Sequence, residues 1–172
     1  IKFSPTGFIN KTKSSKSYLL SNLLNYNTLK KNIALNTSAN WIYGSNQEAL
    51  TNNDLSLHGD LNFFKPGKKL YYWTLVNFDK SYSLKVNYRL QAGAGASYNF
   101  IDSPWLRINI SDGILYEKGD ITTESRNKII YSIPRNSCRL LYKWSIKDRL
   151  TISGIHFYQP SLKSLKDYII QS

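Results

Sequence analysis

The sequence contains no methionine, a single cysteine and two histidines, and it has no long uninterrupted hydrophobic run. No run approaches the roughly 18 apolar residues that cross a bilayer as a helix, so a transmembrane helix is excluded. Cys138 has no second cysteine for an internal disulfide. The scattered histidines do not form a cluster with metal-ligand spacing. We therefore predict no cofactor and no metal.

Acidic residues are also scarce, with 11 Asp and Glu against 23 Lys and Arg, which gives a formal net charge of +12. Such a charge attracts anionic partners. For a soluble protein the partner would be nucleic acid, and for an outer-membrane protein it would be lipopolysaccharide phosphates or anions in a lumen. The absence of methionine extends to position 1, so we expect a processed or trimmed chain from which a signal peptide has been removed.

In place of long hydrophobic runs the chain has long alternating patterns, clearest over residues 84–100. The apolar and small residues share one parity: Leu84, Val86, Tyr88, Leu90, Ala92, Ala94, Ala96, Tyr98 and Phe100. Polar residues and glycines occupy the other, so a strand here has one apolar and one polar face. At about 3.3 Å per residue it is long enough to cross a hydrocarbon layer of about 30 Å. The pattern predicts a membrane-spanning strand with its polar face toward a lumen.

The turns divide the chain into ten strand-sized pieces: 1–11, 17–29, 31–43, 53–64, 69–78, 84–100, 105–117, 128–146, 149–159 and 164–171. We predict an all-β fold, a transmembrane antiparallel up-and-down β-barrel, as one domain over residues 1–172. Tight turns alternate with longer polar ones, which places the tight turns in the periplasm and the longer loops outside. Tight turns are predicted at 30–31, 65–68, 102–104 and 147–148.

Aromatic residues provide a second indication, since the sequence has 13 Tyr and 4 Trp. With these strand directions they fall near the two rims, as in the aromatic girdles of membrane barrels. The predicted girdles comprise Trp41, Tyr43, Phe63, Trp73, Tyr98, Phe100, Trp105, Tyr116, Tyr142 and Trp144. The alternative is that aromatic residues simply favour strands, which explains their number but not their clustering at both ends.

The stretch from Tyr71 to Glu117 (YYWTLVNFDKSYSLKVNYRLQAGAGASYNF, then LRINISDGILYE) resembles the salt-induced outer-membrane protein family, domain of unknown function 481, in its Bacteroidota form. The earlier segments GFINKTKSSKSYLLSN and ALNTSANWIYG are compatible with the start of that domain. The resemblance implies a single-chain outer-membrane barrel of Gram-negative bacteria, with no established activity. Barrels of this kind commonly finish on an aromatic-ended strand, whereas this chain stops at YIIQS. We therefore expect its last strands to be missing, and twelve strands in the complete protein.

Basic residues on the polar parity predict a basic wall in the lumen, because strands 84–100, 105–117 and 128–146 are neighbours. The predicted wall comprises Lys85, Arg89, Arg107, Arg139 and Lys143. Gly93 and Gly95 would leave room on it for guanidinium groups. The functional interpretation is an anion-attracting passage. The structural one is an ionic network that cross-braces a closed barrel, where enclosed charges must be paired.

Acidic and polar residues also fall on the lumen parity: Asp54, Ser56, His58, Asp60 and Glu117. The i, i+2, i+4 spacing of Ser56, His58 and Asp60 suggests a hydrolase, since it allows hydroxyl–imidazole contact. A nucleophile also needs oxyanion donors and a group that orients the imidazole, and the sequence supplies neither. A polar lumen lining explains the three residues more simply, and we predict no enzyme activity.

Asp112 falls on the apolar parity of its own strand, 105–117, and we predict that Asp112-Gly113 forms a bulge that reverses the parity. Ala92, Ala94 and Ala96 form a flat patch where lipid or a partner barrel could pack. Basic residues near the outer loops are candidates for lipopolysaccharide contact or for ordinary solvation: Lys11, Lys13, Lys16, Lys118 and Arg126.

Three hypotheses for function follow. The first is a non-catalytic outer-membrane barrel with a structural or accessory role, as a subunit of a larger outer-membrane complex. The second is a narrow anion-favouring pore lined by Arg89, Arg107 and Arg139. The third is a soluble basic β-protein that binds nucleic acid by aromatic stacking and phosphate contacts. The first two hypotheses place the chain in the outer membrane. Its partners would then be lipid and lipopolysaccharide, and we expect no nucleic acid.

Overall fold

The structure, a computed structural model, describes residues 1–12, 16–47, 49–123, 127–146, 149–164 and 166–172. Within these residues the chain forms eleven antiparallel strands of one sheet. The strands are β1 (Lys2–Lys11), β2 (Lys16–Lys30), β3 (Ile33–Asn46), β4 (Ala49–Phe64), β5 (Leu70–Ser81), β6 (Val86–Asp102), β7 (Leu106–Thr122), β8 (Lys128–Asn136), β9 (Cys138–Ile146), β10 (Leu150–Pro160) and β11 (Tyr168–Gln171). The described residues include no helix long and apolar enough to span a membrane.

Strands β1 to β7 pair with their neighbours in the sequence, β8 and β9 both pair with β7, and β9, β10 and β11 follow in order. The predicted all-β antiparallel fold is confirmed. The predicted strand 128–146 appears as β8 and β9, which both lie along β7 in one register, with Ile114 opposite Asn136 and Ser111 opposite Arg139. The interruption is a single residue, Ser137, whose amide donates to Gly113 O at 2.8 Å. The ten predicted pieces therefore correspond to the eleven strands.

Residues with a left-handed backbone set several strand ends. Gly67 has φ 76° in the turn after β4, and Lys31 has φ 48° between β2 and β3. Lys85 has φ 55°, and its amide donates to Tyr82 O at 3.2 Å, so it closes the turn between β5 and β6. The prediction that Lys85 belongs to a basic wall is therefore wrong, because β6 begins one residue later. The predicted turn 147–148 lies outside the described residues.

The two sides of the sheet differ in composition, as the alternation predicts. We call the side that carries Arg89, Gln91 and Ser97 in β6 the polar face, and the side that carries Leu90 and Tyr98 the apolar face. Buried residues on the polar face include Trp73, Ser97, Asn109, Ser111, Leu115, Glu117 and Arg135. Exposed residues on the apolar face include Leu90, Tyr98, Phe100, Ile110, Ile114, Tyr116, Leu140 and Trp144. The polar side of the sheet is thus the enclosed one.

The sheet is open along two edges. Within the described residues, β1 and β11 are not paired with each other, and they end the order of hydrogen-bonded strands. The sheet nevertheless curves strongly, since Asn36 of β3 and Phe157 of β10 line the same cavity on the polar face.

The predicted bulge at Asp112 is absent from the described residues, so that prediction is wrong. The register runs unbroken through this point, with Ala96 opposite Asp112 and Gly95 opposite Gly113. Asp112 stays on the apolar face, exposed, and accepts a hydrogen bond from Asn136 Nδ2 at 3.0 Å. The Asn136 side chain on β8 thus supplies a hydrogen bond to the Asp112 carboxylate on the apolar face. The predicted bulge, which would have moved Asp112 to the polar face, is not needed.

Candidate functional site

Arginines follow the polar face of β7 at regular intervals. Arg107 belongs to β7 itself, and Arg139 lies opposite Ser111. Arg135 lies opposite Leu115, and Arg89 opposite Gly119. Each step is four residues along the strand, or about 13 Å. The predicted cluster of Arg89, Arg107 and Arg139 is therefore spread along the whole strand, with Arg135 between them; we call these four the arginine ladder.

Two members of the arginine ladder are half-exposed or exposed and form ion pairs. Arg89 donates to Asp79 Oδ2 through Nη2 at 3.0 Å and Nε at 3.2 Å. Arg107 donates through Nε to Asp102 Oδ1 at 2.9 Å, at the tight turn between β6 and β7. Lys143 lies opposite Arg107 and is exposed at the same end of the sheet. These cations line the two ends of the polar face.

Arg135 is buried, with an exposed fraction of 4%, and lies between two carboxylates. Its Nε is 4.0 Å from Glu117 Oε2, and its Nη1 is 3.3 Å from Asp167 Oδ1. Glu117 also accepts from Gln91 Nε2 at 2.6 Å. Arg135 was not among the predicted wall residues, although it has the same parity as Arg139 within one predicted strand, and this parity is the signal that points to it. Glu117 and Arg135 brace adjacent strands at the centre of the sheet.

Arg139 differs from the other members because its hydrogen-bond partners in the described residues are neutral. Its Nη2 donates to the Tyr71 hydroxyl and to Asn109 Oδ1, each at 3.4 Å. Its Nε is enclosed and has no hydrogen-bond partner in the described part of the chain. Arg139 is therefore a half-buried cation whose charge is not matched by a paired carboxylate there.

The glycines of β6 do not make room for guanidinium groups, so that prediction is wrong. A side chain at Gly93 would collide with Leu115, and one at Gly95 would come within 2.5 Å of Trp73 Cζ2. The same indole atom lies 2.5 Å from the position that a Cβ at Gly113 would take. Leu115 and Trp73 therefore fill the space that the glycines leave, and both are buried.

A cavity of about 690 Å³ opens on the polar face, beside the turn between β4 and β5. Its wall combines polar and aromatic side chains from strands that are far apart in the sheet order. The side chains that matter most for its chemistry are His58, Asp60, Tyr71, Trp73, Arg139 and Phe157. Arg139 is thus the one arginine of the ladder that lines this cavity.

The predicted hydrolase-like group does not form a serine–histidine contact. His58 Nε2 lies 3.1 Å from Asp60 Oδ1, and its Nδ1 contacts Asn77 Oδ1. Both ring nitrogens therefore have partners other than Ser56, which lies opposite Asp79. His58 and Asp60 behave here as members of a polar hydrogen-bond network. The described residues contain no group of three or more metal-ligating side chains.

A comparison with protein-family models identifies the family of this chain. The family model described as "Protein of unknown function, DUF481" matches residues 10–172, nearly the whole sequence. The chain belongs to the DUF481 family. Comparisons with curated proteins and with solved structures give no match. The match confirms the predicted membership of DUF481 and names no activity, so the chemistry of this DUF481 chain rests on its own residues.

Asp54 of the DUF481 chain fixes a turn. Its Oδ1 accepts from Ser81 Oγ at 2.8 Å and from the Ser83 amide at 3.1 Å. Its Oδ2 accepts from Asn52 Nδ2 at 3.0 Å and from Ser83 Oγ at 2.8 Å. The sequence predicted a lumen residue, and the structure gives Asp54 the additional task of holding the turn between β5 and β6 against β4.

The predicted girdle residues divide between the faces. Trp73 faces the polar side, is 8% exposed and donates its indole N–H to Ala96 O at 3.4 Å, so it departs from the prediction. The others lie on the apolar face or at the turn beside it: Trp41, Tyr43, Phe63, Tyr98, Phe100, Trp105, Tyr116, Tyr142 and Trp144. Among the candidate lipopolysaccharide contacts, Lys11, Lys16 and Lys118 are exposed, and Lys13 and Arg126 lie outside the described residues.

Proposed function

We propose that this DUF481 chain is a non-catalytic β-barrel of the Gram-negative outer membrane, with a structural or accessory role in the envelope. The observation that carries the proposal is the reversed distribution of side chains on the sheet. Large apolar residues such as Ile114 and Tyr116 are exposed on the apolar face, while Glu117 and Arg135 are buried on the other. A soluble sheet protein would bury the apolar face, because each large apolar side chain gains about 1.5–3 kcal/mol on leaving water.

A lipid environment would explain why the apolar side chains are exposed and the polar ones are buried. Apolar side chains that face acyl chains are in their preferred solvent, and the polar side chains enclosed by the curved sheet pair with one another. In lipid, an open sheet edge would leave backbone groups without hydrogen-bond partners, so the edges of β1 and β11 must be covered. We propose that the sheet closes into a barrel, by pairing of these edges or by further strands.

The proposed orientation places the tight turns in the periplasm. Lys11, Lys16 and Lys118 then lie toward the outer leaflet, where their charges can contact lipopolysaccharide phosphates. Aromatic residues at both ends of the apolar face would lie at the two interfaces.

Cell fractionation tests the location. The native protein should be recovered with the outer membrane after separation on a density gradient, and it should need detergent for extraction. A closed barrel should also migrate faster in SDS gels before boiling than after it. Recovery in the soluble fraction in a folded state would contradict the proposal.

The non-catalytic role rests on how the polar residues are used. His58 has partners on both ring nitrogens, and Glu117 and Arg135 are paired with each other and with neighbours. Such contacts cross-brace a barrel. An accessory role has support in the flat patch of Ala92, Ala94 and Ala96, where small side chains allow close packing. Gentle detergent extraction with mass analysis should then recover a defined partner, and recovery of the chain alone would leave the purely structural role.

A narrow anion-favouring pore is the second candidate, and the cavity beside Arg139 favours it. Arg89 and Arg107 are paired with Asp79 and Asp102, so among these three arginines the unpaired positive charge would come from Arg139. Purified protein in planar bilayers should show discrete conductance, with an anion preference that Arg139→Gln reduces more than Arg89→Gln does. The absence of conductance would leave the structural role alone.

Nucleic-acid binding has less support. A protein that binds single strands presents aromatic and basic side chains on one surface, so that bases stack while phosphates are neutralised. Here Tyr98 and Trp144 lie on the apolar face, while Arg89 and Arg139 lie on the other. Recovery of the native protein only with the outer membrane would exclude this hypothesis.

A further inference from the structure

The cavity on the polar face has the size of a small-molecule site. Its volume of about 690 Å³ falls in the range of roughly 300–1,000 Å³ that ligand pockets occupy. Trp73, Leu75 and Phe157 give it an apolar wall, and Arg139 and Tyr71 give it hydrogen-bond donors. Such a combination of apolar walls and a few convergent polar groups is typical of binding sites.

Arg139 and its neighbours donate hydrogen bonds to neutral acceptors. Asn109 Oδ1 accepts from Ser97 Oγ at 3.0 Å, from Arg139 Nη2 at 3.4 Å and from the Tyr71 hydroxyl at 3.5 Å. Ser97 Oγ also lies 3.3 Å from Ile110 O, so these donors share two carbonyl oxygens, both of them neutral. Arg139 Nε is enclosed and has no hydrogen-bond partner in the described residues, as is also the case for Arg135 Nε, so the guanidinium contacts the cavity through its other nitrogens. Arg139 thus has only neutral hydrogen-bond acceptors in the described residues, and a negatively charged one would suit its guanidinium best.

The other members of the arginine ladder show what Arg139 lacks. Arg89 pairs with Asp79, Arg107 pairs with Asp102, and Arg135 lies between Glu117 and Asp167. An enclosed guanidinium needs a counter-charge to offset the loss of hydration. Among the described residues, no carboxylate oxygen forms an ion pair with the Arg139 guanidinium.

The carboxylate that lines the cavity is already engaged. Asp60 accepts from His58 through Oδ1, and from Asn36 and Asn62 through Oδ2 at 2.8 and 2.6 Å. Lys65 and Lys68, in the turn at the cavity mouth, add positive charge. The local field therefore favours an anion from outside the chain.

We propose that this cavity binds a small organic acid, with its carboxylate on Arg139 and the Tyr71 hydroxyl and its apolar body against Trp73 and Phe157. The proposed ligand site goes beyond the proposed structural role. It also does not depend on conduction, since the same side chains form the cavity whether or not the barrel conducts. It would give this DUF481 chain a ligand, which neither the family nor the proposed function assigns.

Isothermal titration calorimetry on the purified full chain in detergent tests the proposal, with benzoate as the probe and benzamide as its neutral isostere. Benzoate should bind saturably, and benzamide should bind at least about tenfold more weakly, because charge-assisted hydrogen bonds to the guanidinium are lost. Inorganic phosphate should bind more weakly than benzoate, since it has no apolar body. Equal binding of benzoate and benzamide, or tighter binding of phosphate, would overturn the organic-acid assignment.

Variants locate the site. Arg139→Gln should weaken benzoate binding about tenfold or more, while Arg107→Gln, at the exposed end of the arginine ladder, should leave it unchanged. Tyr71→Phe keeps the charge and removes one donor, so it should cause a smaller loss even if Arg139→Gln folds poorly. Benzoate should also quench Trp73 fluorescence in a chain with Trp41, Trp105 and Trp144 changed to Phe. Undiminished binding in both cavity variants, or no quenching of Trp73, would overturn the proposal.

Discussion

At the scale of single residues, burial decides how much each charged side chain contributes to the free energy of unfolding. Arg107 and Asp102 form a short ion pair at an exposed turn, where water already screens both groups. Arg135 and Glu117 are buried on the polar face, so removing either would leave its partner without compensation. The two arginines look alike in the sequence, but removing Arg135 should change the free energy of unfolding much more than removing Arg107.

Arg135→Ala should lower the free energy of unfolding by about 3–5 kcal/mol, because Glu117 would keep its charge in an enclosed site. Urea titration in detergent micelles, followed by circular dichroism, measures the change. Arg107→Ala is the matched control, with an expected loss of no more than about 1 kcal/mol. Equal losses for the two variants would show that the Arg135 site is hydrated like the surface.

At the scale of strands, the packing between β5, β6 and β7 depends on residues that have no side chain. Gly95 and Gly113 lie opposite each other, and the Trp73 indole covers both. An aromatic ring over a glycine pair fills the space and covers the backbone, a known device for stabilising glycines in sheets. Trp73 therefore acts as packing between strands on the polar face.

Gly95→Ala should destabilise the sheet by about 1–3 kcal/mol, because its Cβ would collide with Asp112 O and approach Trp73. The matched control is Gly59→Ala in β4, where the nearest atoms to a new Cβ are 4.0 Å away. The control should be neutral or slightly stabilising. Thermal unfolding of both variants checks the prediction, and a Gly95→Ala protein as stable as the control would refute it.

The turn between β5 and β6 depends on Asp54 of another strand. Asp54→Ala should lower stability by about 1–3 kcal/mol, because the hydrogen bonds to Ser81 and Ser83 are lost. Hydrogen exchange at the Ser83 amide, which donates to Asp54, should become faster. Asp102→Ala, which affects only an exposed pair with Arg107, should leave that exchange rate unchanged.

At the scale of the whole molecule, the two faces carry the functional argument. The apolar face is the exposed one and the polar face the enclosed one, which is the reverse of a soluble sheet protein. A barrel in lipid needs this arrangement, because its solvent is apolar outside and polar within.

Ile114→Lys tests which solvent the apolar face meets, since Ile114 is 61% exposed at the middle of β7. A lysine there should cost about 2–4 kcal/mol if the position faces the bilayer midplane. Folded protein in the outer-membrane fraction, and its stability in lipid vesicles, should fall accordingly.

Ser56→Lys on the polar face is the control and should be tolerated, because Ser56 is exposed on the face that carries polar and charged side chains. If both lysines are tolerated equally, the apolar face meets water and the membrane proposal fails.

The sequence by itself determined the all-β antiparallel fold, the approximate strand positions and the face of most side chains, but not the division of residues 128–146 into two strands. Alternation has a period of two, so a single strand already specifies which residues share a side. Arg139, Glu117 and the alanines of β6 follow from this parity, and Arg135 was available by the same rule. Where both parities are apolar, as around Trp73, the rule gives no answer.

The tertiary structure alone decided how the strands are offset from one another. The alternation excludes a shift by one residue, which would move every side chain to the other face, but it does not distinguish between even shifts. Turn geometry and the hydrogen bonds between strands select among these. Register spaces the arginines along β7, places Trp73 over Gly95 and Gly113, and leaves Arg139 beside a cavity with neutral partners. Parity chooses the side of the sheet, and only the pairing of distant strands decides which side chains meet.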